Sequence, residues 1–508
     1  MTDMGFNRRA LLRGGAKAGL VATIGGTFGG LMSRQAMAAT GSGQLEPAPS
    51  PYGPIFPVAD ESTGLPLLKL PRGFTYRTFS WTGDMMTDGQ RVKGSHDGMG
   101  VVRIGGPGNR DVFLIRNHEV SGANGIIQTV GQYDTAVQTS GGVSGQLGGG
   151  CTVLRVRNGE LLDHRGTLGG TATNCAGGTT LWGTWLTCEE TTYDATSQGG
   201  KKHGYVFECS TNPSETTGQA IVGMGRFSHE AVAVDPATGY VYLTEDERNL
   251  SGFYRYKPTN VSKQYGALAQ GGALQAAKLV GVNAAKLLAL GGANAVQSVG
   301  QTFEIEWVNI DQPDADPVGD ASGSYLEAVS KGALTMSRGE GIWYHNGSFA
   351  VVDTSFGKNS AGIDGRGLGA VWIYTPSKSN PERGSLKLIY AAAARVAGNN
   401  PDNIVFSPRG GLLSCDDGTS VDDGFGPGNR MMGYTAAGEA YIFGKNNIML
   451  TDADIAKMGR TGQFAADDYR DQEFAGATFD PTGHTLFVNI QTPGLTAAIR
   501  GPWAIGNL

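Results

Sequence analysis

From Leu67 onward the chain alternates short runs of β-branched and aromatic residues with turns made of Gly, Pro, Asn and Asp. Short apolar runs, closely spaced and without a sustained helical period, predict strands in close succession and an all-β fold. The clearest units are hairpins. Val232-Ala-Val-Asp-Pro-Ala-Thr-Gly239 leads into Tyr240-Val-Tyr-Leu-Thr-Glu245, and Ala477-Thr-Phe-Asp-Pro-Thr-Gly483 leads into His484-Thr-Leu-Phe-Val-Asn489. Ile404-Val-Phe-Ser-Pro-Arg-Gly-Gly411 likewise leads into Leu412-Leu-Ser-Cys-Asp416-Asp417. Pro and Gly supply the turn in each, as a tight connection requires. Two stretches interrupt the pattern. Residues 263–299, rich in Ala and Leu, predict either helix or an outer strand inserted between repeats, and residues 451–472 read as a polar, partly helical link.

The hairpins share a register. Six positions after a turn glycine stand Glu189 (from Gly183), Glu245 (Gly239), Asp353 (Gly347), Asp417 (Gly411) and Asn489 (Gly483), with a looser copy running from Gly108 to Asn117. Six such hairpins predict a six-bladed β-propeller, whose radial repetition leaves only short sheet edges exposed. A second polar set lies just upstream: Asp97, Asn174, His229-Glu230, Arg338-Gly-Glu340, Asn403 and Glu473. In an antiparallel hairpin the start of the first strand lies beside the end of the second. Both sets therefore belong at one end of every blade, and ring closure gathers them around one channel mouth. Cys188, Glu189, Glu230, Glu245, Glu340 and Asp417 are the residues expected to face each other there. The plainer alternative is that such acids cap strands and bond to neighbouring blades, a reading that suits Asp353, Asn489 and Asn117 best.

Composition narrows the field. Hydrophobic residues make up 40% and charged residues 17%, enough for a large core. Gly, at 81 of 508, is about double its usual share of about 7% and fits turn-dense β structure. The net charge of -6 and pI near 5.7 exclude the basic face a nucleic-acid partner demands. Crowded carboxylates repel one another unless cations cancel their charge. Carboxylates with Asn carbonyls suit a hard ion such as calcium, and a thiolate among them calls for a transition metal. Zinc fits poorly, since its structural sites prefer Cys and His. The five cysteines match neither a zinc finger nor a CxxC pair, and an odd number leaves at least one thiol unpaired or committed to a metal.

The first residues carry targeting chemistry. Asn7-Arg8-Arg9-Ala-Leu-Leu12 precedes a modestly apolar stretch rich in Gly and Thr, and Ala36-Met37-Ala38 supplies a small-x-small cleavage site. Residues 1–38 thus resemble a twin-arginine signal, which exports folded proteins to a periplasmic or extracellular location. Residues 39–66 read as an extended lead-in, and residues 67–508 as one propeller domain. Beyond the signal no stretch is apolar enough to span a bilayer.

These motifs resemble the PhoX family of secreted alkaline phosphatases. The resemblance rests on Trp182-Gly-Thr-Trp-Leu-Thr-Cys188-Glu-Glu190, Ser228-His-Glu230, Tyr242-Leu-Thr-Glu-Asp246 and Arg338-Gly-Glu340. It extends through Glu473-Phe-Ala-Gly, Leu486-Phe-Val-Asn-Ile-Gln491, Gly501-Pro-Trp503, His96-Asp97-Gly-Met-Gly100 and Arg116-Asn-His-Glu119. It implies a six-bladed propeller, twin-arginine export, a cluster of ferric iron (Fe3+) and calcium (Ca2+), and hydrolysis of phosphate monoesters. By the same resemblance Cys188 bridges irons, Glu230 and Glu340 are carboxylate ligands, and Glu189 and Glu245 serve iron or calcium. Arg338 holds the phosphoryl oxygens. The implied partners are a small phosphate ester and the twin-arginine export machinery. One departure stands out: phosphatase members carry a Lys just before a Pro-Trp-Gly segment, where this chain has Thr180-Leu181. The alternatives are a related hydrolase acting on another ester, and a non-enzymatic binding propeller with structural metals.

Overall fold

The computed structural model describes residues 43–140, 142–287 and 299–508. The expected signal peptide, residues 1–38, lies outside the described residues. What is described is all-β with few helices, and its sheets are mostly meanders of neighbouring antiparallel strands, with Gly131–Gln132 pairing in parallel. The first large sheet runs His96–Gly105, Asp111–His118, Gly149–Arg157 and Glu160–Thr171, with Gly131–Gln132 at its edge. A three-stranded sheet follows, made of Asn174–Thr179, Thr184–Glu189 and Val206–Ser210.

The next two meanders begin at His229–Val234 and Gly339–His345. They are fused into one nine-stranded sheet, because Thr302–Ile310 pairs with Arg383–Ala391 at their outer edges. The hydrogen bonding therefore departs from six separate blades. Edge strands expose unpaired backbone groups, and pairing two of them satisfies both. The remaining large sheets start at Pro401–Phe406 and Phe474–Phe479. The first strands of these six units touch one another in chain order, and the sixth touches the first. The arrangement is propeller-like.

Strands within and just after the stretch read as a lead-in (residues 39–66) extend two of the sheets. Ile55–Val58 pairs with Leu68–Pro71, which pairs with Ala440–Asn446. Thr75–Phe79 pairs with Leu495–Arg500 and completes the last sheet from the N-terminal side. Beneath this junction Tyr52, Phe74, Phe443 and Trp503 pack edge-on and stacked, with ring centroids 4.8–6.3 Å apart. The Ala- and Leu-rich stretch resolves as strand over Gly272–Leu279; residues 288–298 lie outside the described residues. The link at 451–472 contains the helix Asp452–Lys457, begun by a capping box between Thr451 and Asp454. A helix over Gly323–Ser330, capped by the Ser322 hydroxyl, went unpredicted, since eight residues of mild amphipathicity give little signal.

One irregularity recurs in the six hairpins that begin the units. In each, the first strand carries one residue more than its partner, close to its start. His96 pairs with His118 and Met99 with Arg116; Asn174 pairs with Glu189 and Gly177 with Thr187. His229 pairs with Glu245 and Val232 with Leu243; Gly339 pairs with Asp353 and Ile342 with Val351. Pro401 pairs with Asp416 and Ile404 with Ser414; Ala475 pairs with Asn489 and Thr478 with Phe487. These are β-bulges, which break the ladder locally and re-aim side chains. Just ahead of the bulge, Ser95, Thr173, Arg338 and Asn400 adopt left-handed backbone (φ 48°, 50°, 60° and 59°), a costly conformation for side chains such as that of Thr.

Candidate metal centre

The bulged pairs are Asp97-Gly98, Cys175-Ala176, Glu230-Ala231, Glu340-Gly341, Asp402-Asn403 and Gly476-Ala477. Five of the six leading positions carry a carboxylate or a thiol, and the following position is small in nearly every case. Packing explains the small residue. A Cβ on Gly98 would stand 2.5 Å from the Ala176 Cα, and one on Gly341 would stand 2.6 Å from the Asp402 carbonyl oxygen. Adjacent first strands approach too closely there for a side chain. Second-strand residues then bind the neighbouring bulge. Asn117 Nδ2 donates to the Cys175 and Ala176 carbonyls at 2.8 and 2.7 Å, and Asn489 Nδ2 to the Asp97 carbonyl at 2.5 Å. This is the blade-to-blade role the plainer reading gives to both asparagines.

The ligand atoms gather into three groups among the described residues, each with its atoms within 4.8 Å of one another: Cys175, Glu190 and Glu230; Glu230, Glu340 and Asp402; Asp97, Glu119 and Glu473. Glu230 belongs to two of them. Burial lifts all these carboxyls, and their mutual repulsion adds to it. Asp97 is pushed up to about 7, with Asp402 as its main neighbouring charge, and Asp402 itself rises to about 6. Glu119 rises to about 9, and Glu190, Glu230, Glu340 and Glu473 go well above the usual carboxylate range. Burial, then Glu230, raises the Cys175 thiol.

Arg338 sits beside these acids. Its Nη2 lies 2.6 Å from Glu340 Oε1, its Nη1 donates to Asp417 at 3.0 Å, and its Nε donates to Asp246 at 3.2 Å. Glu340 contributes most to holding its charge. Below the acids the axis narrows to a space lined by Gly98, Ala176, Ala231, Gly341 and Gly476, with Met99, Ile342 and Trp343 beyond.

The structure brings Glu230, Glu340 and Arg338 together as expected, with Asp417 reaching in through Arg338. It places three other expected residues elsewhere. Cys188 lies on the strand opposite the Cys175 bulge, buried among Leu186, Val206 and Leu243, and enters no ligand group. Glu189 points away from Glu190, as successive strand residues do. Its carboxylate accepts from Ala172 N (2.9 Å) and Gly204 N (2.9 Å) and lies 2.6 Å from His203 Nδ1. Glu245 accepts from Tyr254 Oη (2.6 Å), Gly252 N (2.9 Å) and Ser322 Oγ (2.5 Å). Both carboxylates are occupied by the protein's own donors. Counting from the turn glycine found the right end of each hairpin but the supporting strand. Aligning the first strands on the small residue after the bulge identifies Cys175, which precedes Ala176 as Glu230 precedes Ala231.

Thr180 also lies away from the acids. It belongs to the turn joining Asn174–Thr179 to Thr184–Glu189 and hydrogen-bonds Thr184 at 2.8 Å. The acids stand at the other end of that hairpin, about five residues or roughly 17 Å along the strand. The residue at this position touches no part of the centre.

The donor set fits cations. One thiol and several buried carboxylates without imidazole match hard and transition ions better than zinc. Asp97 Oδ1 is buried and has no hydrogen-bond partner among the described residues. All five cysteines are free and buried.

The fold is a propeller-like arrangement of β-sheets, and the three acidic groups at one end of its first strands are a candidate metal centre. The alkaline phosphatase PhoX family profile matches residues 50–167 and 162–494, and the chain belongs to that family. It is a metal-dependent phosphatase. Among solved structures, Pseudomonas fluorescens PhoX in complex with vanadate, a transition state analogue, is similar at 18% identity. That match covers 92% of this chain and 99% of the other with a TM-score of 0.60, a likeness of fold. The pyranose dehydrogenase PQQ domain from Coprinopsis cinerea, at 9% identity over 85% of this chain and 97% of its own, has a TM-score of only 0.29 and carries no argument. No curated protein matches the sequence.

Proposed function

We propose that this chain hydrolyses phosphate monoesters at a mixed iron and calcium centre in the mouth of a six-bladed propeller. The observation that carries the reading is the guanidinium of Arg338 set against the buried acids. A purely structural ion needs no anion clamp beside it.

Cys175, Glu190 and Glu230 would hold the softer or more highly charged ion, since the thiol is theirs. Glu340, Asp402, Asp97, Glu119 and Glu473 would hold harder ions. When bound, such cations supply Lewis-acid charge to phosphoryl oxygens and to the attacking water. Arg338 orients the phosphoryl group, because a guanidinium gives two parallel hydrogen bonds to its oxygens. Asp246 and Asp417 hold that guanidinium in place and leave it little rotational freedom to lose on binding. No Ser, Thr or His nucleophile is needed.

Twin-arginine export to the periplasm or beyond accords with this chemistry, because that route moves proteins already folded around their ions. No described helix is long and apolar enough to cross a membrane. The reading of a different ester substrate rested on Thr180, and its place at the far end of the hairpin removes that support. The test is metal analysis of protein purified without chelator, followed by p-nitrophenyl phosphate hydrolysis with calcium added. Iron with phosphate release is expected. Bound metal with no phosphate release would overturn the substrate, and no transition metal would overturn the centre.

A further inference from the structure

Two further guanidinium groups stand beside Arg338, on loops that follow the second strands of the third and fourth units. The loop after Val241–Glu245 carries Arg248, and the loop after Ser348–Asp353 carries Arg366. Both loops leave from the end where the acids lie, since Glu245 and Asp353 pair with the first residues of the bulged strands. Backbone hydrogen bonds tie them to Arg338. Its N–H donates to the Glu247 carbonyl at 3.2 Å, and its carbonyl accepts from Thr354 N at 2.9 Å. The Gly365 carbonyl accepts from Ser337 Oγ at 3.0 Å and from Arg248 Nη1 at 3.2 Å, and the same Nη1 donates to Ser355 Oγ at 2.8 Å. Gly365 is left-handed (φ 65°) and packs so closely on Asn249 that a Cβ would overlap Asn249 Oδ1, which locks the two loops together.

Most of the donors on these arginines are unspent. Arg248 is half-buried and uses Nη1 alone; Nε and Nη2 bond no described residue and are not sealed from solvent. Arg366 is exposed, and only its backbone N–H is bonded, to the Gly357 carbonyl at 3.3 Å. The nearby acids are engaged elsewhere. Glu247 accepts from the Arg248 backbone N–H at 2.9 Å, Asp246 accepts from Arg338, and Asp364 pairs with Lys358 at 3.4 Å. Burial lowers the Arg248 pKa most, and the positive charges of Arg338 and Arg366 lower it further, so the three guanidinium groups share one field.

We propose that Arg248 and Arg366 form a subsite for a second anionic group, so that the preferred substrates are phosphate monoesters that also carry a carboxylate or a further phosphate. This rests on the reading of Arg338 as the phosphoryl clamp. A guanidinium edge gives paired hydrogen bonds to either kind of group, and an open position admits both. Two hydrogen bonds already hold Arg248, so it has little freedom left to lose on binding. The chain as a whole carries a net charge of -6 and repels multiply charged esters, which a local pair of cations offsets. Loop bracing accounts for Nη1 of Arg248 but not for its other nitrogens or for Arg366.

The test uses metal-loaded protein at fixed free calcium and two esters of matched size, glycerol 3-phosphate and 3-phosphoglycerate. They differ by a carboxylate in place of a hydroxymethyl group. Wild type should favour 3-phosphoglycerate by about tenfold in kcat/KM, chiefly through KM, the scale of one charge-assisted hydrogen bond. Added salt should shrink that preference. Arg248→Gln combined with Arg366→Gln should bring the ratio to about one. Arg366→Gln alone breaks no side-chain contact and should remove part of the preference, even if the double variant does not fold. Equal kcat/KM for the two esters in wild type, or a preference that survives in the variants, would overturn the subsite and leave the phosphatase reading standing. Hydrolysis of neither ester would overturn that reading and the subsite with it.

Discussion

Arg338 Nη2 and Glu340 Oε1 stand 2.6 Å apart, joined across a left-handed residue and a β-bulge on one strand. The strained backbone folds the guanidinium over the acid instead of letting it run along the sheet. Arg338→Ala should lower kcat/KM for p-nitrophenyl phosphate by about 10²–10³-fold, the usual loss for one preorganised transition-state donor. Arg338→Lys should recover only part of this, because an ammonium lacks the parallel fork. Metal content should stay unchanged in both. A normal rate in the alanine variant would remove Arg338 from the chemistry.

The two neighbouring cysteines should behave differently. Cys175→Ser removes the only thiol in a ligand group and should sharply reduce bound transition metal together with activity. Cys188→Ala deletes a buried sulfur from an apolar layer and should cost about 0.5–1.5 kcal/mol, comparable to losing one methyl group. Elemental analysis and urea unfolding of the pair decide the assignment. Metal loss in the Cys188 variant alone would reverse it.

A pH effect follows from His203. Burial pulls its ring below the ordinary value, but Glu189 at 2.6 Å and Asp134 at 3.4 Å outweigh burial and lift it from 6.5 to about 9. The folded chain thus keeps a proton that the unfolded chain releases above about 6.5. This contribution is complete below pH 6.5 and is lost as pH rises through about 9. Urea unfolding at pH 6 and pH 9 should show wild type losing more stability than His203→Gln over that interval. Equal losses would show that the ion pair does not contribute.

Thr180→Lys should leave kcat/KM for p-nitrophenyl phosphate within about twofold of wild type. The variant should lose about 1 kcal/mol of stability with the Thr184 hydrogen bonds. A large gain in activity would mean that substrate contacts the far end of the channel.

The all-β class, the hairpins and the end of each hairpin where polar residues collect were legible, because alternation and Pro/Gly turns are local signals. Glu230 and Glu340 were found by the same logic. Cys175 and Asp402 were not, because a bulge adds a residue to the first strand and so inverts which side chain faces the axis; Glu190 was missed because it lies one residue past the end of the second strand. The edge pairing of Thr302–Ile310 with Arg383–Ala391 was likewise invisible, since nothing local marks which strands meet across a gap in the chain.

Asp97 and Glu473 share one ligand group, and Thr75–Phe79 zips against Leu495–Arg500 close by. A nascent chain can therefore hold no ion in that group until its early and late segments have docked. Cation capture becomes a checkpoint on assembly, and a molecule truncated before Glu473 would be sorted from intact ones by its inability to load.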